Sequence, residues 1–272
     1  MFNSREALGL GLIMMKSTVK IIVAVHKPYD VLQDETYLPV YAGAASKAEL
    51  GDQSDDEGDH ISGRNALYCE LTALYWAWKN LSCDALGLMH YRRYLGAPAR
   101  CRGRRPPRER IAAGEELAAY LEKAPVILPK KRDYFIESRE DQYVHAHGRE
   151  SLDMLRRVLA EKRPQYLPAL DRTLARTAGH CFNIFVMRRD LADAYCAWLF
   201  DTLFEVEARM HAQTPHAVTP RLFGFLSERM MDCWLETHGY DYMELPVVNM
   251  EKQNWPKKMA GFLGRKLKGA GR

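Results

Sequence analysis

No stretch of the 272-residue chain approaches the roughly 20 consecutive apolar residues that a membrane-spanning helix needs. The six cysteines (Cys69, Cys83, Cys101, Cys181, Cys196, Cys233) form no Cys-x-x-Cys pair. They read as reduced, mostly buried thiols of a cytosolic protein, and a zinc site is not indicated. There is no Gly-x-x-x-x-Gly-Lys-Ser/Thr loop and no Gly-x-Gly-x-x-Gly after the first strand, which argues against P-loop enzymes and standard dinucleotide binders. A Gly-x-Ser-x-Gly elbow is missing too, so nucleophilic serine hydrolysis has little support. Internal repeats are absent. Leu8 to Met15 is apolar but follows Arg5 and Glu6 and has no small-residue cleavage site, a poor signal peptide. Residues 1–17 are expected to be a loose tail, in part preceding the true start.

What remains is ordinary globular composition, 47% hydrophobic and 27% charged. The net charge of +4 is unevenly placed. Lys252, Lys257, Lys258, Arg265, Lys266, Lys268 and Arg272 close the chain with no acidic residue among them, which leaves the body slightly acidic. In this arm Met259, Phe262, Leu263 and Leu267 recur at helical spacing, the pattern of a short amphipathic helix on an anionic membrane surface. A disordered solubilising tail, or a helix packed on a partner, is the alternative. A second basic block runs from Arg100 to Arg110. Neither block carries a nucleic-acid-binding pattern.

The β-branched run Thr18 to His26 predicts a strand buried on both faces. Leu67, Leu71, Leu74, Tyr75 and Trp78 predict one helix over 65–80 with Ser62 as its N-cap. Further strands are expected at 85–91, 125–129, 183–187 and 242–248. Further helices are expected at 115–123, 150–162, 191–211 (capped by Asp190) and 221–238, the last opened by Thr219-Pro220. The stretches 46–60 and 97–113 read as loops. Strands alternating with helices give an α/β domain with a central, mainly parallel sheet over residues 18–250, followed by the basic tail 251–272.

Ligands of open α/β sheets bind beyond the carboxyl ends of the strands. That rule nominates His26 and Lys27, then His90-Tyr91-Arg92-Arg93, then the segment from Pro129 to Lys131. Paired guanidiniums suit bidentate phosphate contacts, although they could equally pair with rim carboxylates. The acidic run Asp52, Asp55, Asp56, Glu57, Asp59 would suit Mg²⁺ or Mn²⁺, or be a solvated loop. His180 and Asn183 could point into the cleft or be structural. Glu228 could be a general base or half of a surface ion pair.

The strings Asn65-Ala-Leu-Tyr-Cys-Glu-Leu-Thr-Ala-Leu-Tyr-Trp-Ala-Trp-Lys-Asn80 and Leu86-Gly-Leu-Met-His-Tyr-Arg-Arg-Tyr94 resemble a bacterial family of capsular and exopolysaccharide glycosyltransferases, DUF4422. The strand ending His26-Lys27, the segment Cys181 to Arg188 and Gly224 to Arg229 agree with it, so that the resemblance covers roughly 19–250. It implies a GT-A-like fold and a cytosolic enzyme peripheral to the inner membrane. Such an enzyme moves a hexose from a nucleotide sugar, UDP-linked, to a lipid-linked or polysaccharide acceptor in cell-surface polysaccharide synthesis. A non-catalytic nucleotide- or glycan-binding protein on the same fold is the alternative. On this reading His26, Lys27, Asp59, Ser62 and Asn65 line the nucleotide pocket. His90, Arg92 and Arg93 meet the diphosphate, while His180 and Asn183 touch the sugar. Glu228 is the catalytic base of an inverting reaction, and Tyr143, His145 and His147 lie on the acceptor side. GT-A enzymes carry Asp-x-Asp at a strand end to hold a metal, where this chain has His90-Tyr91-Arg92-Arg93. No metal ligand is therefore assigned, and Mn²⁺ or Mg²⁺ on the acidic run stays the open alternative.

Overall fold

The computed structural model describes residues 18–47, 51 and 53–251. The N-terminal tail and the basic C-terminal arm singled out above lie outside them. Ten strands are described: β1 (Val19–Val25), β2 (Tyr37–Tyr41), β3 (Ala85–His90), β4 (Arg93–Leu95), β5 (Val126–Pro129), β6 (Arg132–Asp133), β7 (Ala178–Gly179), β8 (Phe185–Arg188), β9 (Tyr242–Leu245) and β10 (Val247–Asn249). The α-helices are α1 (Asn65–Tyr68), α2 (Leu71–Asn80), α3 (Pro107–Arg110), α4 (Gly114–Leu121), α5 (Arg139–His147), α6 (Glu150–Lys162), α7 (Leu167–Ala175), α8 (Arg189–Gln213), α9 (Leu222–Ser227) and α10 (Met230–His238).

The central sheet runs β2, β1, β3, β8, β5, β9, with β4 folding back on the end of β3 and β10 beyond it. The β1–β2, β1–β3 and β5–β9 ladders are parallel and carry most of the register pairs. β8 is antiparallel to both β3 and β5. The uninterrupted apolar run of β1 follows from burial on both sides. Ile22 and Ala24 face a layer built with α2, α6, α8 and α10, whereas Ile21, Val23 and Val25 face a layer that includes Leu117 of α4. The strand has no water-facing side to mark with polar residues. The result is an α/β domain with helices on both faces of a mostly parallel sheet.

Several expected elements are divided. The helix expected over 65–80 breaks at Cys69, whose φ of 53° and ψ of −129° are rare for a side-chain-bearing residue. Asn65 Nδ2 donates to the Cys69 carbonyl at 2.8 Å and Thr72 Oγ1 donates to it at 3.1 Å, so that side chains take over where the helical ladder stops. Ser62 caps nothing: it opens a 3₁₀ turn and is fully buried. Asp190 sits in the first turn of α8, one residue inside its start. The helix expected from 221 becomes α9 and α10, with Arg221 itself left-handed at φ 67°. Pro246, which has no N–H for a ladder, separates β9 from β10. The loop 97–113 contains α3, and α5, α7 and β2 fall where the sequence suggested no element.

Candidate active site

β1 and β3 run side by side and end together, His26 following one and His90 closing the other. The chain then turns through Tyr91 and Arg92 into β4, whose first residue is Arg93. Tyr91 is the buried floor of this corner. His26 meets its ring edge-on at 5.0 Å, and so does Tyr29 at 4.8 Å. Lys27 and Arg92 hold their charges 5.6 and 5.1 Å from the Tyr91 ring centre, and Arg93 stacks on Phe182 at 4.5 Å. Arg92 also reaches Glu251 at 3.6 Å, so part of its charge is spent on the rim.

Positive charge is concentrated here. Burial, then the charges of Arg92 and Arg93, pushes the His90 imidazole down to about 3, so it is neutral near pH 7. Burial, then Lys47, Arg92 and Lys27, lowers His26. Burial and Arg92 lower Arg93 as well, with Glu228 and Glu70 partly restoring it. Positive charges crowded in this way form a site that a polyanion would relieve.

Across from the cations lie two carboxylates. The break at Cys69 leaves Glu70 just ahead of α2, where its Oε1 accepts from Asn183 Nδ2 at 2.8 Å. Asn183 Nδ2 also donates to the Gly224 carbonyl at 3.0 Å, and Ser227 Oγ donates to Asn183 Oδ1 at 2.9 Å. Glu228 follows α9 and lines a small cavity with His180, Cys181, Asn183, Ile184 and Met231. Burial raises the Glu228 carboxyl, Arg229 opposes the rise, and the negative charge of Glu70 adds to it. Burial raises Glu70 too, against the hydrogen bond from Asn183. A desolvated carboxyl with a raised pKa suits proton abstraction near neutral pH.

The structure thus brings together His26, Lys27, His90, Arg92, Arg93, Asn183 and Glu228. Asn65 lies near by: its Oδ1 accepts from Lys47 Nζ at 2.9 Å, and its side chain packs against Gly43, where a Cβ would come within 2.5 Å. The remaining expected residues serve elsewhere. Asp59 exchanges backbone hydrogen bonds with the Asn80 side chain at the far end of α2, beside the start of β3 and away from the cleft. Ser62 is buried, donating to Asp55 and accepting from the Ala45 N–H. His180 has both ring nitrogens engaged, Nδ1 with Asp232 and Nε2 with Glu244 at 3.0 Å, so it ties elements together and has none left for a sugar. Asn183 borders the cavity, but its amide is occupied in holding Glu70 and α9. Tyr143 is buried against Ser151, and exposed His145 faces Glu137 at 3.5 Å. His147 stacks on Phe225 at 4.2 Å, the ring that also lies under Arg221.

Four residues escaped the sequence reading: Glu70, Arg221, Lys47 and Phe182. Glu70 looked like an interior position of a regular helix, and Arg221 like the opening residue of one. The signal for Glu70 was Asn65, a residue whose amide competes with the backbone and here ends α1 four residues later. Phe182 and Asn183 have φ of 76° and 53°, a local twist that hydrophobic patterning does not encode.

Among the described residues no group of three His, Cys, Asp or Glu side chains converges on one point. The acidic run is dispersed rather than solvated as a unit. Asp55 is buried and accepts from the N–H groups of Gly43 (2.9 Å) and Ala44 (3.1 Å), while Asp56 accepts from Ser54. Asp52 lies outside the described residues.

A mostly parallel sheet flanked by helices, with a cationic corner at its strand ends and the half-buried carboxylates Glu70 and Glu228 beside it, defines the class as an α/β protein with charged side chains gathered at one end of the sheet. The chain belongs to the family described as a domain of unknown function, DUF4422, whose model matches residues 20–239. Among solved structures it is similar to the apo form of WbbM, a bifunctional glycosyltransferase, with a TM-score of 0.78 and 29% identity. That match covers 87% of this chain and 46% of WbbM, so the chain spans about half of that protein's length. No curated protein matches it.

Proposed function

We propose that the chain is a GT-A-like glycosyltransferase that transfers a hexose from a UDP-linked sugar to a lipid-linked or polysaccharide acceptor in cell-surface polysaccharide synthesis. The observation that carries this reading is the juxtaposition of a cationic corner (Arg92, Arg93, with Lys27 near by) and two carboxylates: Arg93 stacks on Phe182, the next residue Asn183 holds Glu70, and the charges of Glu228 and Glu70 both act on Arg93. The likeness to WbbM supports the reaction class. Arg93, stacked on Phe182, and Arg92 bind the diphosphate and neutralise charge as it leaves the sugar, the electrostatic role otherwise given to a metal. Neutral His90 supplies hydrogen bonding there without further repulsion. Glu228 removes the proton from the acceptor hydroxyl in an inverting reaction, and Asn183 holds Glu70 beside it.

Among the described residues no helix is long and apolar enough to cross a membrane. We place the enzyme at the cytoplasmic face of the inner membrane, with the basic arm beyond Glu251 as one contact. Thermal-shift titration with UDP and UDP-hexoses, followed by UDP release from the sugar nucleotide, tests the function. Stabilisation with turnover supports it. Binding without turnover on any acceptor would instead favour a binding module.

A further inference from the structure

Between β6 and α5 the chain makes a tight turn that projects two large apolar side chains into water. Among the described residues, the large apolar side chains that stand exposed are Phe135 (80%), Ile136 (62%) and Tyr242 (37%). All three belong to one neighbourhood, because Lys131 at the base of the turn donates to the Tyr242 hydroxyl at 2.8 Å. The turn is built rather than slack. The Phe135 N–H donates to Asp133 Oδ1 at 2.7 Å, and the Ile136 N–H donates to the Tyr134 carbonyl at 2.8 Å. Phe135 adopts φ 62°, and the buried Tyr134 anchors the turn through its hydroxyl, 3.5 Å from Cys181 Sγ. The chain holds these side chains outward although neither finds a partner in the fold.

Lys130, Lys131 and Arg132, all exposed, form a collar below this tip. The neighbouring acids have partners of their own: Asp133 accepts from the Phe135 N–H within the turn, Glu137 faces His145, and Glu244 faces His180. An apolar tip above a cationic collar, with a tyrosine at the same level, matches the layering of an anionic bilayer. Acyl chains would meet Phe135 and Ile136, and headgroup phosphates would meet the lysines and Arg132. A protein partner would offer apolar area without needing the collar.

We propose that the Phe135–Ile136 turn is a lipid-surface anchor, inserting its two apolar side chains into an anionic bilayer while Lys130, Lys131 and Arg132 contact the headgroups. The anchor stands at the mouth of the cleft. β6 pairs with β7, which leads directly into His180 to Asn183, and Arg132 acts electrostatically on both Glu228 and Arg93. Docking there presents the cleft to an acceptor carried on lipid. This last consequence rests on the transferase reading, whereas membrane binding itself does not.

The test is co-sedimentation of the full chain with vesicles of phosphatidylglycerol and phosphatidylcholine, and with pure phosphatidylcholine. The wild type is expected to partition onto the mixed vesicles more than onto the neutral ones. Phe135→Ser/Ile136→Ser should lower that partition about tenfold or more, since the basic arm is present in both chains. Lys130→Glu should weaken binding to the mixed vesicles at low salt and matter little on the neutral ones. UDP release without vesicles is expected to be equal in the wild type and the double variant. If UDP release is absent from both while the partition differences hold, the transferase reading fails and the anchor stands. Equal partition of wild type and double variant would overturn the anchor. So would a wild-type dimer by light scattering that the double variant dissolves, since the tip would then be covered by a second copy.

Discussion

Replacing Arg93 by alanine removes a half-buried cation stacked on Phe182 and already lowered by burial and by Arg92. If that cation binds a phosphate, its loss costs a charged hydrogen bond, about 1.5–3 kcal/mol. At 1.4 kcal/mol per tenfold, UDP affinity should fall by roughly 10- to 150-fold. The lost stacking, about 0.5–1 kcal/mol, weakens the free protein rather than binding, and relief of the Arg92 repulsion offsets part of it, so the Tm should hardly move. A second signature is independent of ligand. With Arg93 gone, the His90 imidazole should titrate above its present value of about 3, visible in NMR titration. Isothermal calorimetry with UDP is the assay. Unchanged affinity in both Arg92→Ala and Arg93→Ala would refute a phosphate role for this corner.

Three further outcomes are expected. His90 is depressed in the folded chain, so the unfolded chain takes up its proton first as pH falls. Its contribution is intact above about 6.5 and is lost toward 3, by up to about 1.4 kcal/mol per pH unit. His90→Gln should therefore flatten the decline of Tm between pH 6.5 and 4, and an unchanged slope would contradict the assignment. Asp55→Ala strands two buried N–H groups and the Ser62 hydroxyl, and should cost about 2–4 kcal/mol in urea unfolding; a loss near zero would show the loop is held otherwise. Turnover should survive EDTA, because cations occupy the place of Asp-x-Asp; loss on chelation with recovery on Mn²⁺ would reverse that reading.

The sheet was legible because its strands are buried on both faces and β-branched, as the run Ile21 to Val25 shows. The cationic corner was legible because the strand-end rule places it without side-chain detail. Tyr37 to Tyr41 escaped notice because Pro39 and Leu38 interrupt its pattern, and only pairing with β1 makes it a strand. The carboxylate side was half visible. Glu228 follows a recognisable helical segment, whereas Glu70 reaches the cleft only through the left-handed break at Cys69. His180 was open between a cleft role and a structural one, and the sequence could not decide because Asp232 and Glu244, which engage both its ring nitrogens, are distant in the chain. Such long-range polar pairing has no periodic signature.

The central claim is that this cleft breaks a sugar–diphosphate bond with Glu228 as base. UDP release from UDP-hexoses, measured on wild type and Glu228→Gln together with UDP affinity, tests it most directly. The wild type should release UDP in the presence of acceptor, and the variant should lose about 10²- to 10⁴-fold in turnover while its affinity for UDP is kept. Equal turnover by the two chains would contradict the role of Glu228, and an absence of both UDP binding and release in the wild type would contradict the claim itself.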